Sequence, residues 1–231
     1  MRVAIVENPR VTHHGQVGVA LHEAAARIEL YKPWVGQPLP EAVDADALVV
    51  FGGEQSALDD HTHPYLPDLV RLISAYTAMD RPVLGIGPGS QLMARAFGGE
   101  NHLGIAKEFG WCEVEVTDEG RADPVLGILP TRFPIAQWHS DTFSLPPGAV
   151  RLARNFTAEN QAFRVGRASY ATQFHFEANR AVMADWLRSF PEAVQKNDPT
   201  FIDRHPELAS TSGAEADQHG LAIARAWVAL I

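Results

Sequence analysis

The chain has 231 residues, of which 46% are hydrophobic, and a formal net charge of −9 at pH 7. That length and apolar content suit one large globular domain or two small ones. The acidic balance leaves no electrostatic footprint for nucleic acid or an anionic membrane, and no apolar run approaches the roughly 20 residues of a membrane span. A single cysteine, Cys112, permits no internal disulfide and fits a reducing cytoplasm. The opening apolar run, Val3 to Val6, is too short for the core of a signal peptide, and Glu7 interrupts it. A cytoplasmic location is the expectation.

In chain order, Arg2 to Val6 reads as a buried strand and Val17 to Arg27 as an alanine-rich helix. Ile28 to Tyr31 reads as a short strand, and a proline-rich connection, Lys32 to Pro40, leads to a strand at Ala47 to Phe51. That strand ends on Gly52 and Gly53, and Pro64 to Ala78 has the apolar spacing of an amphipathic helix. Strand and helix alternating in this way predict a parallel sheet with helices on both faces.

Arg81 to Gly99 then organises the chain. A buried strand (Pro82 to Ile86) enters a glycine-rich turn (Gly87, Pro88, Gly89) and leaves as a helix (Ser90 to Phe97) closed by Gly98 and Gly99. This is the geometry of a nucleophile elbow, which lifts one side chain above the sheet and aims a helix N-terminus at whatever binds there.

Beyond Gly99 the pattern changes. Trp111 to Val116 alternates like a half-exposed strand, and Phe133 to Trp138, Val150 to Arg154, Gln161 to Val165 and Ser169 to Phe174 suggest hairpins beside the main sheet. Ala178 to Phe190 returns to helix. A polar stretch, Pro191 to Gly213, leads to a last helix, Ala214 to Leu230, with Leu221, Ala222, Trp227 and Val228 as an apolar stripe. Residues 1–190 read as one domain and 191–231 as a helical extension packed on it.

The elbow resembles that of the class I glutamine amidotransferases, Gly-x-Cys-x-Gly-x-Gln, with Gly85, Gly89 and Gln91 on the pattern. Phe51-Gly52-Gly53-Glu54 resembles the family's Gly-Gly-Pro turn, followed by paired acids, Asp59 and Asp60. Trp138-His139-Ser140-Asp141 resembles the His-x-Asp segment found near the GMP synthetase glutaminase domain. Gln173-Phe174-His175-Phe176-Glu177 resembles Gln-Phe-His-Pro-Glu, which carries the catalytic histidine and glutamate. The match runs in order over about Met1 to Leu187. It implies a flavodoxin-like open, mostly parallel α/β sheet with an antiparallel extension and C-terminal helices.

The resemblance also implies a chemistry. A thiolate attacks the glutamine side-chain amide to give a thioester and ammonia, with His175 as acid–base and Glu177 orienting its ring. It implies no cofactor and no metal, with glutamine or a related small molecule as ligand. Any ammonia-consuming synthetase or acceptor would be a separate chain. Gln91, His139, Ser140 and Asp141 fall at substrate-binding positions, although Gln91 serves equally well as a packing residue of the elbow helix.

The departure is at Gly87, which stands where the family has its cysteine. Glycine offers no nucleophile. Pro88 then removes the N–H that, together with the turn at Gly53, would form the oxyanion hole, a loss that typically costs roughly 10²–10³ in rate. Neither Ser90, three residues on, nor Cys112, on a later strand, is an obvious substitute. An introduced knockout of an active glutaminase would usually be alanine or serine and would spare position 88, so natural divergence is the favoured origin. The expectation is a protein inactive as a glutaminase, with a binding or regulatory pseudoenzyme as the alternative class. His61-x-His63 and His13-His14 read as loop rather than metal sites, and Gly15-x-x-Gly18 is too weak a pattern, without supporting neighbours, to read as a phosphate turn.

Overall fold

In the first strand Val3 and Ile5 turn to one face of the sheet and Ala4 and Val6 to the other, and all four are buried. Only a strand covered on both faces can carry that pattern, so helices must lie above and below it. The computed structural model describes residues 1–231 and has this architecture.

The elements begin with β1 (Arg2–Val6), α1 (Gly15–Glu23), β2 (Arg27–Tyr31), β3 (Ala47–Val50), α2 (Leu66–Ala78), β4 (Val83–Ile86) and α3 (Pro88–Ala96). Next come β5 (Asn101–His102), β6 (Glu108–Val116), α4 (Asp118–Arg121), β7 (Arg132–His139), β8 (Thr142–Phe143), β9 (Val150–Arg154), β10 (Ala162–Val165) and β11 (Ser169–Thr172). Four helices close the chain: α5 (Arg180–Ser189), α6 (Pro191–Asn197), α7 (Phe201–Ser210) and α8 (Ser212–Val228).

Nine strands form one sheet in the order β2-β1-β3-β4-β11-β10-β9-β6-β7. The first five pair in parallel, and the remaining ladders are antiparallel. The strands β6, β7 and β9 to β11 pair as antiparallel hairpins that continue the main sheet, while β5 and β8 form a separate two-stranded sheet. β11 joins β4 in parallel, with Ser169 opposite Val83 and Thr172 opposite Ile86. Strand pairing over that distance is a tertiary choice that local alternation does not encode.

One core layer packs Val3, Ile5, Val49, Phe51 and Leu84 against α1 and α8. The other packs Ala4, Val6, Leu48, Val50 and Val83 against α2 and α3. A third, smaller cluster joins Ala136 of β7 to Met183 and Leu187 of α5 and Phe201 of α7.

The polar stretch after Phe190 is helical. Pro191 starts α6 at a position where its fixed φ and missing N–H suit a helix, and buried Phe201 starts α7. Few apolar residues face inward there, which hid the period. On α8 the buried stripe is Ala216, Gly220, Ile223, Ala224 and Trp227, while Leu221 and Ala222 are only half-buried. α1 stops four residues short of the expected Arg27, and Ala25, with φ 50°, turns the chain into β2.

Trp227 is fully buried in the core beside α1. Trp227→Ala should cost about 3–5 kcal/mol in chemical unfolding. A loss below about 1 kcal/mol would mean that α8 is not part of the cooperative core.

Candidate functional site

The carboxyl ends of β1, β3, β4 and β11 open on one edge of the sheet, where ligands of doubly wound folds bind. β4 ends there in the glycine turn. Gly87 has φ 57° and ψ −125°, a backbone conformation that a residue with a Cβ adopts only under strain. Its N–H donates to the Thr172 carbonyl (2.9 Å), tying the turn to β11. α3 starts at Pro88, two residues earlier than the sequence pattern suggested, because proline is favoured at the first helical position. Gly89 lies so close to the Val50 carbonyl that any side chain there would push α3 off β3.

β11 leads directly into His175 and Glu177. The His175 backbone N–H donates to the Ala136 carbonyl (2.8 Å), which fixes the segment against β7. Its Nδ1 lies 2.7 Å from Glu177 Oε1, and both side chains are buried. A carboxylate only accepts, so Nδ1 carries a proton and donates it to Glu177. Trp186 of α5 packs edge-on against the ring, with centroids 5.2 Å apart. The imidazole faces the turn: a Cβ built at Gly87 would lie 2.6 Å from His175 Cε1 and 2.9 Å from Nε2. The ring occupies the space a side chain at this turn would need.

The structure thus brings Gly87, Pro88, His175 and Glu177 together. The Pro88 ring packs against Gly52, at the end of β3, and the Gln55 side chain folds over Gly53 while donating to the Tyr65 hydroxyl (3.2 Å). Ser90 points back into the turn and donates to the Gly87 carbonyl (2.6 Å), so its hydroxyl is engaged as a cap. Cys112 lies on β6, opposite Ile135 of β7, with its thiol pushed up to about 11 by burial. Alkylation of Cys112 at pH 8 should run about a hundredfold slower than that of a free thiol, because so little thiolate is present. Rapid labelling at that pH would refute its burial.

His139, Ser140 and Asp141 sit farther along the sheet. His139 Nε2 lies 3.1 Å from the buried Glu108 carboxylate, and its Nδ1 lies 3.0 Å from the Asp141 carbonyl. Asp141 accepts from the Gly104 N–H (2.8 Å), holding the loop between β5 and β6, and Ser140 is exposed. Gln161 Nε2 donates to Glu108 (2.6 Å), and the Gln173 N–H donates to the Gln161 carbonyl (2.8 Å). Gln91 Nε2 reaches Gln173 Oε1 (3.4 Å). A buried polar chain therefore runs from the elbow helix to His139, and no direct hydrogen bond links His139 to His175.

Sequence reasoning missed Glu108, Gln137, Gln161 and Trp186; Glu108 follows Lys107 and Gln161 follows Asn160, so both read as surface residues. Only their polarity inside buried strands could have flagged the first three. Asp60 takes both Arg95 guanidinium nitrogens at 2.6 Å, which holds its carboxyl below the usual range and anchors the loop to α3. His61 is exposed, and no group of three potential metal ligands exists in the chain. No helix is long and apolar enough to cross a membrane.

A strand–turn–helix facing a glutamate-held histidine, at the carboxyl edge of a flavodoxin-like sheet, is an arrangement of acyl-transfer folds. The model of the class I glutamine amidotransferases matches residues 16–191, and the chain belongs to that family. It is 31% identical over 181 residues to a glutamine-hydrolyzing GMP synthase subunit from Natronomonas pharaonis, covering 76% of this chain and 88% of that one. The corresponding GMP synthase subunit from Methanosarcina barkeri is 27% identical over 192 residues, covering 80% and 95%. Among solved structures, a glutamine amido transferase from Methylobacillus flagellatus superposes with a TM-score of 0.90 at 27% identity, covering 100% of this chain and 95% of the other. A glutamine amidotransferase from Thermotoga maritima shares the fold, with a TM-score of 0.87 over 99% and 97% of the two chains.

Gly87→Ala tests the turn itself. The methyl group would meet His175 at a positive φ, so the variant should lose about 1–3 kcal/mol in denaturant unfolding. Equal stability would show that the ring moves aside freely.

Proposed function

We propose that this chain retains the amidotransferase fold and a pocket for glutamine or a related small molecule, but does not release ammonia by the thiolate route. The observation that carries this is the turn at Gly87. No nucleophile stands there, the His175 ring fills the space for one, and Pro88 offers no N–H to a developing oxyanion. His175 and Glu177 keep the geometry of a base and its orienting acid. Without a nucleophile to deprotonate, they serve as ligand-facing polar groups.

Gly53 supplies the surviving half of the oxyanion turn, and Gln91 with His139, Ser140 and Asp141 lines or supports the pocket. The two GMP synthase relatives are, by their names, parts of an enzyme whose remainder is a separate chain. A separate synthetase or acceptor chain is accordingly the partner proposed here, with binding of the small molecule regulating rather than feeding it.

Purified protein should release no ammonia from glutamine above background. Gly87→Cys alone should restore activity poorly, and Gly87→Cys with Pro88→Leu should do better. In the double variant a thiolate at the helix N-terminus faces His175, and the returned N–H supplies about 2.7–4 kcal/mol of transition-state stabilisation over the single variant, or roughly 10²–10³ in rate. Equal rates would show that position 88 is not a donor. Full activity in Gly87→Cys alone would identify the protein as an active glutaminase carrying an introduced knockout.

A further inference from the structure

β2 is an edge strand of the nine-stranded sheet and pairs only with β1. The Arg27 N–H donates to the Met1 carbonyl (3.0 Å), and the Tyr31 carbonyl accepts from the Glu7 N–H (2.9 Å). Arg27, Glu29 and Tyr31 therefore turn their backbone groups toward β1, and Ile28 and Leu30 turn theirs to solvent. The Ala26 carbonyl also points outward, because the planar trans peptide sets it opposite the Arg27 N–H.

Part of this outer edge is already covered. The Gln37 side chain donates Nε2 to the Leu30 carbonyl (3.3 Å) and accepts from the Lys32 N–H (2.9 Å). The Ala26 N–H donates to the Leu21 carbonyl (2.9 Å) within the chain. What is left open is the Ala26 carbonyl, both backbone groups of Ile28, and the Leu30 N–H.

That set is its own complement. About a two-fold axis through Ile28, two antiparallel copies of β2 exchange both Ile28 hydrogen bonds, and each Leu30 N–H meets the other copy's Ala26 carbonyl. The same register sets Arg27 opposite Glu29 twice, at the positions without hydrogen bonds, where facing side chains stand closest. The Arg27 side chain is 78% exposed and lies 4.0 Å from Glu29 of its own chain, so little holds it there. Ile28 and Leu30, 36% and 40% exposed, project from the other face and lose water in the same pairing. Moving the axis one residue, to Glu29, would set that carboxylate against itself and call on the Leu30 carbonyl, where Gln37 already lies. Charges on an edge strand ordinarily deter pairing; here the two signs are spaced to match.

We infer that β2 is a homodimer interface, through which two copies of this chain join their sheets antiparallel at Ile28. The occupant is a second copy because the open backbone groups and the charges complement themselves. The strands run in opposite directions across the axis, so the two crevices at the carboxyl edges face opposite ways.

Sedimentation of the full chain up to about 100 μM should show a reversible dimer, a single strand pair being a small interface. Arg27→Glu and Glu29→Arg each set like charges opposite one another, and each should weaken the dimer about tenfold. An equimolar mixture of the two variants should associate like the native chain, because one is then wholly acidic at these positions and the other wholly basic. Ile28→Cys reads the register independently. Directly opposed residues of this kind stand about 5.5 Å apart at Cα, within disulfide reach, so mild oxidation should crosslink two chains. Leu30→Cys, which faces Ala26 rather than itself, should not crosslink, and the native protein with Cys112 alone is the control. A monomer at every concentration, a dimer that both charge reversals leave unchanged, or crosslinking through Leu30→Cys in place of Ile28→Cys would overturn the inference.

Discussion

The parallel pairing of β11 with β4 is the constraint on which the site depends. It joins segments more than eighty residues apart and sets Thr172 opposite Ile86, so that the chain after β11 must emerge beside the glycine turn. The N–H of Gly87 bonding the Thr172 carbonyl locks that register. A slip by one residue would turn His175 and Glu177 to the opposite face and separate them from the turn. Everything else at the edge is buttressing. Ala136 holds the His175 backbone, Trp186 holds its ring, and Gly89 lets α3 sit down on β3.

The same edge holds its shape without any side chain at position 87. Gly85 and Gly89 are there because α3, β3 and β4 approach closely, and that requirement does not depend on a thiol. Glycine holds the positive φ at position 87 without strain, and Pro88 begins the helix well. The His–Glu pair is satisfied internally and packed against an indole, so it remains ordered without a substrate. The interactions that keep the crevice intact are those that keep the sheet intact.

The layered parallel core was legible from β1, β3 and β4, whose continuous apolar runs leave no other arrangement, and the turn was legible because Gly85, Gly87 and Gly89 punctuate a strand–helix boundary. His175 and Glu177 were found through their motif, two apart on one side of an extended segment. What stayed hidden was set by tertiary partners. Glu108 and Gln161 look like surface residues in half-exposed strands, yet they meet inside a buried polar chain. The helicity of Pro191 to Ser210 depends on a few inward residues such as Val194 and Phe201, too sparse to give a period. His14 read as loop because its contacts are with Phe51 and Glu7, which lie on other segments of the chain.

The position of α8 has a consequence for how the chain is made. This last helix packs against α1, near the opposite end of the sequence, and seats Trp227 in the layer that covers β1 and β3. During synthesis the first strands emerge with that face bare, and β4 waits with one edge unpaired until β11 arrives. Such long-range closure is slow and leaves apolar surface and strand edges available to wrong partners. The crevice can therefore close only after β11 has been made. A nascent fragment ending before α8 would hold every strand of the sheet with one face still uncovered, a species in need of a chaperone.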